Sequence, residues 1–226
     1  NRAHDGGGMY NDGTAGTSNP TLTHVAFYNN TAPTSMGGGM LNIGAYTGES
    51  SPVLTNVTFI GNSATVGGGM YNYGKEGTTS PLLTNVIFSG NWAEYGGGMR
   101  NFSYKCTPIL INVLFSGNSA KFYGGGMSTI NNGNDNGSES TPILINVTFS
   151  SNSAQYGGGM SNQKTTSSGT TVSTLVNCIL WGNTAILDGP QLYNGGAATT
   201  TALHSTVDGG YERTGNLAVA PHFVEP

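Results

Sequence analysis

The chain has 226 residues, enough for one sizeable core, and its small net charge of −4 comes without any Lys/Arg cluster, which argues against a surface that tracks nucleic-acid phosphates. No apolar run approaches the ~20 residues that a membrane-spanning helix needs. Charged residues make up 8 % of the chain where ~25 % is usual, and the 37 glycines are about twice the ordinary share, so charged helix faces are scarce and ordered β structure is expected.

From the N-terminus the chain opens in the middle of a repeat, "NRAHDGGGMYN", which suggests a mature product or a piece of something longer. The same line returns as "SPVLTNVTFIGNSATVGGGMYN" at residues 51–72 and in each later copy. Aligned on the residue after the glycines, the copies place Met9, Met40, Met70, Met99, Met127, Met160 and then Leu192 in one slot, with a period of about 30 residues. Insertions fall after the Ala of "GNSA" and in the Gly/Ser/Thr-rich stretch after "MYN", so the remainder is a constant cross-section.

In that constant part Leu54, Val57 and Phe59 have counterparts at Leu83, Val86 and Phe88, at Leu110, Val113 and Phe115, and at Leu144, Val147 and Phe149. Val and Phe two apart share one face of a strand, but Leu and Val three apart require a break in phase. The break is a corner at Asn56, Asn85, Asn112, Asn146 and Asn177, with His24 and His204 in the same slot, because Asn tolerates left-handed φ/ψ. Two further columns are Asn30, Asn62, Asn91, Asn118, Asn152 and Asn183, and Asn11, Asn42, Asn72, Asn101, Asn162 and Asn194, with Thr129 interrupting the last. Read as three corners and three strands, each repeat is one coil of an all-β parallel β-helix: a solenoid of about seven coils with asparagine ladders, spanning residues 1–226.

The "FxxN" pairs (Phe59 with Asn62, Phe88 with Asn91, Phe115 with Asn118, Phe149 with Asn152) and the accompanying "GGGM" resemble the GGA(I/L/V) and FxxN repeats of polymorphic outer-membrane proteins. The closing "CILWGNTAILDGPQLYN" and "GNLAVAPHFVEP" are similar to the last coils of bacterial parallel β-helix surface proteins. That resemblance implies right-handed coiling, export, and an adhesive or structural role at the cell surface.

Chemistry is harder to assemble. The eleven acids do not stack as a lyase or hydrolase on this scaffold would need, and Glu94 with Lys121 one coil later reads as an exposed ion pair. His204, Asp208, Glu212 and His222 gather near the C-terminus, but their spacings match no familiar metal signature, so no metal and no cofactor is expected. Cys178 takes an inward slot and Cys106 a loop two coils away, too far for a disulfide. Of the sequons, Asn29 and Asn136 are the candidate N-glycosylation sites, whereas Asn56, Asn101 and Asn146 belong to ladders.

Two surfaces remain. Ile111, Ile145, Val176, Leu114 and Ile179 take outward slots beside the first corner and form a candidate partner surface. Tyr95, Tyr123 and Tyr156 precede the glycines on three successive coils and form a candidate glycan strip over a wall flattened by glycine. Neither end shows a helical cap, so uncovered strand edges are expected at both. The function expected from this is that of an extracellular or cell-surface structural protein without enzyme activity, a homo-oligomer or filament joined through coil ends. A carbohydrate-binding adhesin module is the alternative, and a polysaccharide lyase or hydrolase a more distant one.

Overall fold

The computed structural model describes residues 1–133, 137–212 and 215–221, and these form a parallel β-solenoid without helix. One coil is enough to derive the rest. It comprises the strands Val53–Thr55, Thr58–Ile60, Ser63–Val66 and Met70–Thr78, four where the sequence predicts three. We name the walls after their inward residues: Leu, Phe, Ala and Met. The Ala wall has six strands and the Phe wall seven, so the solenoid makes about six turns, close to the expected seven.

Among the described residues every pairing between coils is parallel, and through the middle coils the inward residues keep like on like. Leu83 lies between Leu54 and Leu110, Phe88 between Phe59 and Phe115, and Met99 between Met70 and Met127. Inward residues therefore form continuous columns. Phe27, Phe59, Phe88, Phe115 and Phe149 stack with centroids 4.7 to 4.8 Å apart and planes within 5°. The centroid separation is the distance between coils, so the rings are held offset and parallel by the backbone repeat. Each fully buried Phe contributes roughly 1.5–3 kcal/mol by transfer from water, which makes this column the main apolar support of the fold.

The corners follow from backbone chemistry. Between the Leu and Phe walls, Asn56, Asn85, Asn112, Asn146 and Asn177 have φ of 54° or 55°, and His24 and His204 fill the slot at the ends with φ of 56° and 50°. Between the Phe and Ala walls the left-handed residue is Asn29, Gly61, Gly90, Gly117, Ser151 or Gly182, one before the second Asn column. Between the Ala and Met walls it is the first glycine of each triplet, such as Gly67 with φ of 64°. The glycine triplet thus forms a corner, correcting the expectation of a flat strand. A Cβ on Gly69 would lie 2.5 Å from the Gly98 carbonyl oxygen and 2.8 Å from Phe88 Cδ1. No side chain fits there.

The three Asn columns differ in role. The first is on the surface, with Asn85 donating to Asn56 at 3.1 Å, Asn112 to Asn85 at 3.2 Å and Asn146 to Asn112 at 3.1 Å. The second is buried. There the Asn118 Oδ1 accepts both the backbone N–H and the Nδ2 of Asn91, at 3.0 and 2.9 Å, while the same Nδ2 also donates to the Phe59 carbonyl at 2.9 Å. The third column was expected at a corner, but Asn72 lies within the strand Met70–Thr78 and faces inward two residues after Met70. It receives from Asn42 at 2.8 Å and donates to Asn101 at 2.8 Å. Asn serves both αL corners and interior polar columns, which is why the sequence pattern alone merges the two uses.

The ends are less bare than expected. In the last coil Gln191 stands where Gly159 stood one coil earlier, and its Oε1 accepts from Asn183 at 2.6 Å, closing the buried ladder. Residues 208–212 and 215–217 then lie over the end: Tyr211 packs against the core and donates its hydroxyl to the Thr200 carbonyl at 2.9 Å, and Asn216 donates to the Ala202 carbonyl at 2.9 Å. At the other end residues 1–3 pair with Thr31. Asp5 accepts from Ser35 Oγ and, at 3.3 Å, from the Met36 amide.

Candidate functional site

The expected partner surface exists as a surface, with a wider extent than its five residues. Ile111, Ile145 and Val176 project from the Leu wall and Leu114 and Ile179 from the Phe wall, all half-buried. The surface Asn ladder runs between the two groups, and Asn85, Ile87, Asn112, Leu114, Asn146 and Thr148 line a shallow groove of about 440 Å³. Ile87, Ile109 and Ile143 are more exposed than any of the five, each at 38 %. Ile109 pairs with Ile143 and Ile111 with Ile145, so the two "ILI" strands present a block of four isoleucines. The signal was in the sequence: when Leu110 points inward, both of its neighbours point outward.

The tyrosine strip forms, but its rings are used differently. Tyr95 lies 6.3 Å from Tyr123 with planes 12° apart, and Tyr123 lies 5.1 Å from Tyr156 at 15°. The rings therefore cover one another along the solenoid axis, and Tyr193 packs tilted against both Tyr156, at 5.0 Å, and Tyr123, at 6.1 Å. Sugar binding by aromatics uses the flat faces, and here those faces are already occupied.

Beneath the strip is a residue that the sequence reading did not single out. Arg100, on the opposite side of its strand from Met99, is 6 % exposed, with its guanidinium carbon 5.2 Å from the Tyr95 ring. It donates to Ser128 Oγ, its Nε has no hydrogen-bond partner, and burial pushes its pKa down. A cation over an aromatic face gains more once desolvated, so Arg100 anchors one end of the tyrosine column.

Other expected features can be placed. Asn29 is exposed at its left-handed corner, Asn101 is fully buried, and Asn56 and Asn146 are exposed although their amides join the surface ladder. Asn136 lies outside the described residues. Among the described residues no group of three His, Cys, Asp or Glu side chains could hold a metal ion. Asp208 instead accepts from Gln191 Nε2 at 3.3 Å and from the Gly182 amide at 3.4 Å; His222 lies outside the described residues. Lys121 and Glu94 form the expected exposed pair at 3.3 Å. Cys106 and Cys178 are free and buried, and burial pushes their thiols up to about 12 and about 11, far from the range of a reactive nucleophile.

A cleft of about 350 Å³ lies where the Met wall passes into the Leu wall, the corner that takes the long insertions. Thr47, Glu76, Thr78, Tyr104 and Lys105 line it. Sequence reasoning assigned these residues only to variable loops, because loops of unequal length cannot be aligned by period.

Compared with known proteins, the chain matches no family model, no curated protein and no solved structure. The repeat motifs accordingly carry a fold, the parallel β-solenoid with asparagine ladders, and no family membership.

Proposed function

We propose that this chain is a non-catalytic structural protein of the cell exterior whose copies associate through the solenoid ends, with the isoleucine block as a lateral surface. The observation that carries the reading is the strand Thr184–Asp188. It is the last of the Ala wall and, among the described residues, pairs on one side only, with Ser153–Tyr156. Its Ile186 and Leu187 are 80 % and 60 % exposed. In four of the five preceding coils the slot after the inward Ala is polar, holding Thr65, Glu94, Lys121 and Gln155, and in the first it holds Pro33. Aliphatic side chains beside an unpaired strand edge are what a further strand would cover, and natural edges that must stay free usually carry charge.

The scarcity of charge supports the same reading, since cohesion here comes from stacked amides and rings. Export to the cell surface is supported by the likeness to polymorphic outer-membrane repeats. The other reading, glycan binding on Tyr95, Tyr123 and Tyr156, is weakened by rings that spend their faces on each other.

Sedimentation velocity and electron microscopy over a concentration series test association. Rods longer than one chain are expected for the natural sequence, and short single rods for the double variant Ile186→Lys, Leu187→Lys. A natural chain that stays monomeric at high micromolar concentration would falsify the reading. The pair Ile111→Lys, Ile145→Lys reports separately on the lateral surface.

A further inference from the structure

We propose that the cleft at the Met-to-Leu corner binds a saccharide, with Tyr104 as its stacking surface and Glu76, Lys105, Thr47 and Thr78 as its polar contacts. This inference stands apart from the association of copies. The cleft, at about 350 Å³, falls at the small end of the range of ligand pockets, roughly 300–1,000 Å³, and suits a single sugar ring with a substituent.

Successive coils build it. Thr47 comes from the loop after Met40–Ile43, Glu76 and Thr78 from the strand Met70–Thr78, and Tyr104 and Lys105 from the strand Met99–Cys106. Their loops are pressed together: a Cβ on Gly44 would lie 1.9 Å from the Thr78 carbonyl oxygen, and one on Gly77 would lie 2.0 Å from that of Gly44. The cleft floor is therefore backbone against backbone, which leaves it rigid and preorganised.

Charge is concentrated here in a chain with little of it. Parallel pairing sets Thr78 beside both Glu49 and Lys105, and Lys105 beside Glu139. Along the axis the paired residues run Glu49, Thr78, Lys105, Glu139, with neighbours ~4.8 Å apart; Thr78 and Lys105 line the cleft, where Glu76 adds a carboxylate. Such an alternation of acceptor and donor fits a ligand whose groups do both, as sugar hydroxyls do. An anion would meet the Glu76 carboxylate in the cleft and the Glu139 carboxylate beside Lys105, and an apolar ligand would desolvate a polar lining.

The backbone carries strain at the same place. Tyr46, Thr47 and Glu76 have φ of 49°, 70° and 60°, and none of them is a repeated corner of the solenoid. Left-handed geometry is uncommon for any residue with a Cβ, more so for a β-branched one, and costs on the order of 1–3 kcal/mol. Held strain of this kind serves to aim side chains. Tyr104 is placed from behind: a Cβ on Gly133 would lie 3.0 Å from its Cδ1, so glycine leaves the ring room where it lines the cleft.

The test is titration of the full chain, followed by amide chemical shifts, with the methyl glycosides of glucose, galactose, N-acetylglucosamine and N-acetylgalactosamine and with their β-linked disaccharides. Saturable shifts are expected at Thr47, residues 76–78, Tyr104 and Lys105, with affinity in the millimolar range or tighter. Glu76→Gln and Tyr104→Ala should each weaken binding about tenfold or more, and Tyr95→Ala should leave it unchanged. Circular dichroism checks the fold of each variant, and Tyr104→Leu replaces Tyr104→Ala if that variant unfolds. The proposal is overturned if no probe gives saturable shifts at tens of millimolar. Shifts that map to the Tyr95, Tyr123 and Tyr156 column, or affinity untouched by both variants, overturn it equally.

Discussion

A single asparagine has a different weight in each column. Asn118 is buried, and its Oδ1 accepts the N–H and Nδ2 of Asn91 while its own Nδ2 donates to Asn152 and to the Phe88 carbonyl. Asn118→Ala strands several of these groups away from water, and each unsatisfied buried group costs about 1–3 kcal/mol. A loss of about 3 to 5 kcal/mol in denaturant unfolding is expected. Asn112 is exposed with φ of 54°, so Asn112→Gly loses two surface hydrogen bonds but removes the left-handed penalty, and the net change should stay within about 1 kcal/mol. Equal losses for the two would contradict the assignment of one column to the core and one to the surface. Asp5 gives a pH dependence at the same scale. Burial tends to raise its pKa, but donation from Ser35, His4 and the Met36 amide outweighs this and holds it below the ordinary 3.8. Because the folded value is the lower one, the stabilisation is present above the ordinary carboxylate value and lost as pH falls through the folded one. Acidification below about pH 4 should therefore loosen residues 1–5 from Thr31–Met36, visible as chemical-shift changes at Ser35 that Asp5→Asn lacks.

At the level of the strand and its corner, two glycines separate steric from torsional constraint. Gly98→Ala puts a Cβ 2.5 Å from the Gly126 carbonyl oxygen and 2.8 Å from Phe115 Cδ1, so two coils must part; a loss above about 3 kcal/mol is expected. Gly117 has φ of 62° and open space around it, so Gly117→Ala should cost only the left-handed penalty of about 1–2 kcal/mol. Thermal or denaturant unfolding of the pair decides whether crowding or φ dominates. Much of this level was legible in the sequence. Asn56 announced its corner because its neighbours Leu54 and Val57 break the two-residue phase, and the Phe column announced itself by repetition. Asn72 and the glycine triplet did not, since Asn suits both a left-handed turn and an interior amide column, and glycine suits both a flat strand and a crowded turn. The fourth strand was hidden by that same confusion.

Across the whole molecule, the sequence could not show the terminal cover, because Tyr211, Asn216 and Gln191 act on carbonyls and amides brought near only by coiling. Nor could it show the cleft at the Met-to-Leu corner, whose residues come from insertions that obey no period. The isoleucine block was half visible, since Ile111 and Ile145 were seen and Ile109 and Ile143 were not. With each coil touching chiefly its neighbours, stability is close to a sum of rungs and their interfaces, and local opening at the ends need not spread inward.

The buried amide ladder, the phenylalanine column and the backbone hydrogen bonds between coils all run parallel to the solenoid axis. A force that draws the two ends apart along that axis loads the rungs in series, one after another, and the rod yields like a zipper. A force applied across the rod meets many rungs in parallel. Material built from such units would resist sideways shear well and extend by unwinding coil by coil when pulled lengthwise.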